Sequence, residues 1–123
     1  IARVFTPVQS VLAEIAFDRA ISAPRFSADA RGEAGYLLRM LQLGDSIGMP
    51  HSRPLPVLGA GCHELRVVDQ TTSWRIVYCV DEHAVVVLEV FAKKSPRLPG
   101  SILRTCQRRL AAYRTTLREE EGL

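Results

Sequence analysis

The chain has 123 residues, 47% of them hydrophobic and 24% charged, a balance that supports one folded domain over residues 1–123 and argues against global disorder. No apolar run approaches the roughly 18–20 residues that a bilayer-spanning helix needs, and no charged start, apolar stretch and small-residue cleavage site mark a secretion signal, so a cytoplasmic protein without a membrane role is expected. The net charge is only +3, yet between Ala92 and Arg118 eight basic residues (Lys93, Lys94, Arg97, Arg104, Arg108, Arg109, Arg114, Arg118) occur without an acid; such a block suits a polyanionic partner or, more blandly, a solvated helix face.

The chain begins at Ile1 and not at Met, so whether native residues precede it is left open. Residues 2–17 are mostly apolar; the pattern predicts a short strand near Arg3–Thr6 and a short helix near Gln9–Phe17. Ser22–Pro24 reads as a connection. Ser27 is placed to cap a helix with Asp29 in its first turn, and that helix is predicted from Ala28 to Leu43. Its buried stripe is expected at Tyr36, Leu37, Met40, Leu41 and Leu43 or Gly44, and Gly44 is a natural stop.

Residues 44–61 carry Gly44, Gly48, Pro50, Pro54, Pro56, Gly59 and Gly61, with apolar Ile47, Met49, Leu55, Val57 and Leu58 threaded between them. This predicts an ordered loop, and loops of that length in a compact domain are often functional. Three strands follow. His63–Asp69 alternates, with Leu65 and Val67 on one face and Arg66 on the other. In Trp74–Asp81, the residues Trp74, Ile76, Tyr78 and Val80 oppose Arg75, Val77 and Cys79. Ala84–Ala92 is nearly all apolar, as for a strand buried on both faces. The polar turns Asp69–Ser73 and Asp81–His83 are short, which makes the three strands an antiparallel meander. Pro96 and Pro99 break the chain before a last helix, for which Ser101 is a reasonable N-cap and Leu103, Cys106, Leu110, Tyr113 and Leu117 form one apolar seam.

The cysteines Cys62, Cys79 and Cys106 are widely spaced and include no CxxC pair, so neither a zinc site nor a redox motif is expected. Cys79 and Cys106 read as small core residues in a reducing compartment. No cofactor or metal is expected.

The charges on the strands are more informative. Arg66 and Arg75 sit inside the first two strands, and Lys93 and Lys94 end the third. A meander can bring these four cations into one patch, with Glu64 and Glu89 nearby. Clustered cations repel, which makes more sense if a phosphate occupies the site. The bland alternative is a pair of cross-strand ion pairs, Arg66–Glu64 or Arg75–Glu89, with Lys93 and Lys94 protecting a strand end. Histidine is the side-chain type best matched to acid or base work near neutral pH, which draws attention to His51, His63 and His83, but a lone histidine is more often simply polar surface.

Taken together, Gly48-Met49-Pro50-His51-Ser52-Arg53-Pro54-Leu55, Glu64-Leu65-Arg66, Trp74-Arg75-Ile76-Val77-Tyr78, Phe91-Ala92-Lys93-Lys94-Ser95 and Pro99 resemble the phage-derived HigB-like branch of the RelE/ParE toxin superfamily. The five segments occur in family order over about residues 33–113; residues 1–25 match poorly. The resemblance implies a RelE-like α+β fold: N-terminal helices packed on an antiparallel sheet, with a three-stranded core meander, room for a fourth N-terminal strand, and a C-terminal helix. It also implies the toxin of a type II toxin–antitoxin system. Such a toxin is an endoribonuclease (mRNA interferase) that cuts mRNA on the ribosome and is neutralised, in a hetero-oligomer, by a helix-turn-helix antitoxin.

By resemblance, Arg66, Arg75, Lys93 and Lys94 are the phosphate-directed charges, and Arg75 and Lys94 the most damaging single losses. Metal-free cleavage uses the RNA 2′-hydroxyl as nucleophile, so the protein supplies charge for the pentavalent phosphate and groups that take and give protons. His63, Glu64 or His51 are candidates for the proton transfers, and Arg53, His51, Arg97, Arg104 and Arg108 for RNA binding. The chain departs from the family pattern in three places. Arg53 replaces the usual lysine, Tyr113 falls too late to match the C-terminal tyrosine of some relatives, and Ser95–Ser101 is one residue short. The acid and base are therefore left open. Two other expectations fit the same fold: a ParE-like toxin that binds DNA gyrase, and a decayed, non-catalytic relative that binds antitoxin or nucleic acid.

Overall fold

The computed structural model describes residues 26–70, 72–81 and 85–122. The strand and helix predicted near residues 3–6 and 9–17 lie outside these residues, as does His83.

Helix α1 (Ala28–Gln42) begins as its capping residues dictate: Ala30 N–H donates to Ser27 Oγ at 3.0 Å, and Asp29 lies in the first turn. It ends before Gly44, whose φ of 93° is a left-handed conformation that glycine adopts without strain. The buried face is Ala30, Ala34, Leu37, Leu38 and Leu41. This corrects the expected stripe: Tyr36 and Leu43 are exposed. Ala30 and Ala34 extend the helical spacing of Leu37 and Leu41 toward the N-terminus, and their small side chains allow the helix close to the sheet.

The sheet has four antiparallel strands in the order β1 (Ser52–Pro54), β2 (Cys62–Val68), β3 (Ser73–Val80) and β4 (Val85–Ala92). The last three are the expected meander. The fourth observed strand comes from the Gly/Pro-rich loop, where Ser52, Arg53 and Pro54 pair with Leu65, Glu64 and His63. Pro54 is tolerated because β1 is an edge strand, where one N–H need not enter a ladder.

Side-chain alternation divides the core between the two faces of the sheet. On one face, Leu65, Val67, Trp74, Ile76, Tyr78, Val85, Val87 and Val90 pack with Phe26 and the buried face of α1. On the other, Cys62, Val77, Cys79, Val86 and Leu88 pack with Leu55, Leu58 and the seam of helix α2 (Gly100–Glu121) at Cys106, Leu110 and Tyr113. Partly buried Leu103 and Leu117 complete that seam, as the apolar spacing predicts. The start of α2 differs: its N-cap is Pro99, with no side-chain cap, so Ser101 lies inside the helix. The φ of −59° at Pro99 lies in the range to which its ring restricts it, and this sets the entry into the helix.

One irregularity aligns β4 with its neighbours. Tyr78 pairs with Val87 but Val77 pairs with Glu89, so Leu88 is an extra residue, a β-bulge. Leu88 and Glu89 therefore both face α2. Arg109 of α2 reaches the bulge, with Nη1 donating to Leu88 O at 2.7 Å and lying 3.3 Å from Glu89 Oε1. Beyond the bulge, Phe91 falls opposite Arg75, and Lys93 N–H donates to Ser73 O at 2.8 Å.

Candidate functional site

The register that carries the core also gathers charge. Arg66 pairs with Arg75, Arg53 pairs with Glu64, and Lys93 continues β4 beside Ser73. All belong to the α2 face of the sheet, because they alternate with the residues that pack on α1. The α2 seam covers the rows of Cys62–Cys79 and Val77. The rows of Arg66–Arg75 and Ser73–Lys93 follow toward the other end of the strands.

Among the described residues Glu64 is the one carboxylate in contact with this cluster, and it is 3% exposed. Its Oε1 accepts from Arg53 Nη2 at 3.2 Å and lies 3.3 Å from Arg75 Nε. Arg75 is 5% exposed. Its Nη1 donates to Ser73 Oγ at 2.6 Å and to Trp74 O at 3.0 Å, which fixes the guanidinium against β3. Burial pulls this guanidinium below its usual value, against the attraction of Glu64 and with the repulsion of Arg66 and Arg53. Partial burial, followed by the charges of Arg75 and Arg66, likewise holds the Lys93 ammonium below the ordinary lysine value.

One carboxylate therefore faces four cations, Arg53, Arg66, Arg75 and Lys93. The Nε atoms of Arg53 and Arg66 are buried and make no hydrogen bond among the described residues, and that of Arg75 has only its 3.3 Å ion-pair contact with Glu64 Oε1. Buried donors are ordinarily satisfied, and an excess of convergent cations with unused N–H groups is the arrangement that an anion completes.

The other predicted site residues fall in several places. His51 lies two residues before Arg53, and its carbonyl accepts from Arg66 N–H at 2.8 Å; continuing the β1 register sets it opposite Arg66 at the cluster's edge. His63 alternates to the α1 face, where its ring stacks on Tyr78 at 5.4 Å between centroids and its Nδ1 is 3.2 Å from Gly61 O. The sheet separates it from Arg66 and Arg75, so it does not share their space. Lys94 follows Lys93 and is exposed; the charges that act on Lys93 are Arg75, Arg66, Glu64 and Arg53. Arg97, Arg104 and Arg108 are exposed on the approach to α2 and on its outer surface. Arg104 folds back toward its own helix start, where its Nη1 is 3.3 Å from the position a Cβ on Gly100 would take. Tyr113 is buried and donates to Asp81 Oδ2 at 2.9 Å, at the opposite end of β3 from Arg75. Glu89 pairs with Arg109, not with Arg75. Among the described residues no group of three or more His, Cys, Asp or Glu is placed to hold a metal ion, and no helix is long and apolar enough to cross a membrane.

The elements and this face define a small α+β domain whose sheet carries a cationic cluster on the same face as its C-terminal helix. The chain belongs to a family described as Phage derived protein Gp49-like (DUF891), whose pattern matches residues 24–111. That family is one of RelE/ParE-like toxins. No curated protein and no solved structure matches the chain.

Proposed function

We propose that this protein is the toxin of a type II toxin–antitoxin pair, of the HigB-like branch, and that it is a ribonuclease whose cationic sheet face holds the scissile phosphate of mRNA. The observation that carries the reading is the pair of buried Nε groups, on Arg53 and Arg66, that make no hydrogen bond among the described residues, in a cluster where Glu64 is the one carboxylate the described residues bring against four cations.

The chemistry follows from what that face offers. Arg66, Arg75 and Lys93 stabilise the dianionic charge that develops on phosphorus as the 2′-oxygen attacks, an electrostatic role that gains strength in a partly dry site. Glu64 serves as a positioning residue: its Oε1 holds Arg53 and Arg75 toward each other, and that engagement suits it poorly to act as a base. His51, at the edge beside Arg66, is the imidazole available for proton transfer, and Lys93, whose ammonium gives up its proton more readily through burial and the charges of Arg75 and Arg66, is suited to protonate the leaving 5′-oxygen. His63 plays no part in this scheme, and Lys94, Arg97, Arg104 and Arg108 extend the RNA contact with exposed charge. An acidic or helical segment of a helix-turn-helix antitoxin neutralises the toxin by covering the same cationic face. The toxin acts in the cytoplasm, on ribosome-bound message.

The test is induction without antitoxin. Growth arrest with mRNA loss is expected from the wild-type chain, and Arg66→Ala and Lys93→Ala are each expected to relieve it while the circular dichroism spectrum stays unchanged. Full arrest in both variants overturns the reading. The exposed arginines of α2 support a ParE-like alternative, which DNA damage with intact mRNA would select.

A further inference from the structure

Two cysteines that the cationic face does not use stand opposite each other on neighbouring strands. Cys62 of β2 pairs in register with Cys79 of β3, both are buried free thiols, and their Sγ atoms are 3.1 Å apart. Backbone hydrogen bonds define the kind of pair. Val80 N–H donates to Gly61 O at 2.9 Å, so Gly61 and Val80 form the hydrogen-bonded pair. Cys62 instead turns its carbonyl to β1, accepting from Leu55 N–H at 2.8 Å. Cys62–Cys79 is therefore a non-hydrogen-bonded pair, in which Cα atoms lie about 4.5 Å apart and side chains approach most closely. Disulfides form with Cα separations of roughly 4.4–6.8 Å, so this geometry accepts the bond with little backbone movement.

We propose that Cys62 and Cys79 form a dithiol–disulfide couple, oxidised to a cross-strand disulfide by a peroxide. The sequence alone concealed the couple: the two residues are seventeen apart and in no redox spacing. The thiols are not equivalent. The hydrogen bond shared with Cys79 holds the Cys62 thiol below its usual range, and the same sharing, with burial, pushes Cys79 up. Cys62 is thus the attacking thiolate. It attacks the peroxide O–O bond, an S–O bond forms, and the hydroxide that leaves takes up the proton that Cys62 released, giving water. The Cys79 sulfur then displaces the oxygen from Cys62, so that the S–S bond forms as S–O breaks, and the oxygen departs as a second water carrying the Cys79 proton. Two sulfurs lose two electrons and one peroxide gains them. The step is independent of whether the cationic face cuts RNA. It ties β2 to β3 in the row next to Glu64 and restricts the unfolded chain, which raises the Tm on the order of 10 °C.

Cys106 is an internal control. It lies in the same apolar cluster but on α2, and burial pushes its thiol up to about 12. The experiment exposes the reduced full-length chain to hydrogen peroxide under native conditions. It is then quenched with N-ethylmaleimide in denaturant, and peptides are mapped without reductant. The expected result is a linked Cys62–Cys79 peptide pair, alkylated Cys106, and a raised Tm that dithiothreitol reverses. Cys79→Ser is expected to remove the linked pair and leave Cys62 as an oxidised single thiol. The proposal is overturned if both residues stay alkylatable at a peroxide dose that oxidises a control thiol. A link through Cys106, or one that forms equally fast in the urea-unfolded chain, also overturns it.

Discussion

Removing the carboxylate at the centre of the cluster tests how the site is held. Among the described residues, Glu64→Leu leaves the Arg75 guanidinium, whose side chain is 6% exposed, with the neutral acceptors Ser73 Oγ and Trp74 O, beside Arg66 and Arg53. Loss of one partner from a buried ion pair costs about 3–5 kcal/mol. The Arg53 side chain is 35% exposed and can return to water, so its lost pair adds at most about 1 kcal/mol. The expected destabilisation is about 3–6 kcal/mol. It is measured by urea unfolding in chloride buffer, because added phosphate or sulfate would substitute for the missing charge. Adding Arg75→Met removes the stranded cation, so the double variant should be more stable than Glu64→Leu alone by about 1–2 kcal/mol. Losses that simply add, with no coupling between the two sites, would refute the view that Arg75 depends on Glu64 for its place.

Three further outcomes follow from the geometry. Arg109→Ala strands the bulge carbonyl of Leu88 and frees Glu89, and should cost about 1–2 kcal/mol in urea unfolding, with the sheet retained by circular dichroism. Asp69 accepts Ser27 N–H and the N–H of Gln70, which hold its carboxyl below the usual value. Its contribution to stability is therefore complete above about pH 4 and is lost as pH falls through the lower folded-state value; wild type and Asp69→Asn should differ in Tm at pH 6 and converge in strong acid. In an RNA-cleavage assay, His51→Gln should slow turnover about 100-fold, while His63→Gln, on the opposite face of the sheet, should leave the rate within about twofold of wild type; a reversed order would reassign the proton carrier.

Much of the sheet was legible because alternation leaves its mark on sequence. Leu65 and Val67 against Arg66, and Trp74, Ile76 and Tyr78 against Arg75, predict both faces and hence the meeting of the two arginines. The α2 seam was legible for the same reason, at period 3.6. What escaped was set by pairing between distant segments. A three-residue strand ending in Pro54 has too little pattern to announce itself, yet it brings Arg53 and His51 to the cluster. Register also decided between two histidines that look alike in sequence, because a shift of one residue along β2 moves a side chain to the other face. The bulge at Leu88 was hidden at the end of an apolar run, Val85–Leu88, whose residues are buried on both faces of the sheet. On α1, aromatic and aliphatic residues drew the predicted stripe toward Tyr36, whereas Ala30 and Ala34 are the residues that let the helix approach.

The most direct test of the central claim is the chemistry of the ends produced when the purified chain is incubated with RNA. Attack by the 2′-oxygen on a phosphate held by Arg66, Arg75 and Lys93 predicts fragments ending in a 2′,3′-cyclic phosphate and beginning with a 5′-hydroxyl, and no cut where the nucleotide before the bond is 2′-deoxy. Fragments that begin with a 5′-phosphate, or cutting that persists at the 2′-deoxy position, would contradict it.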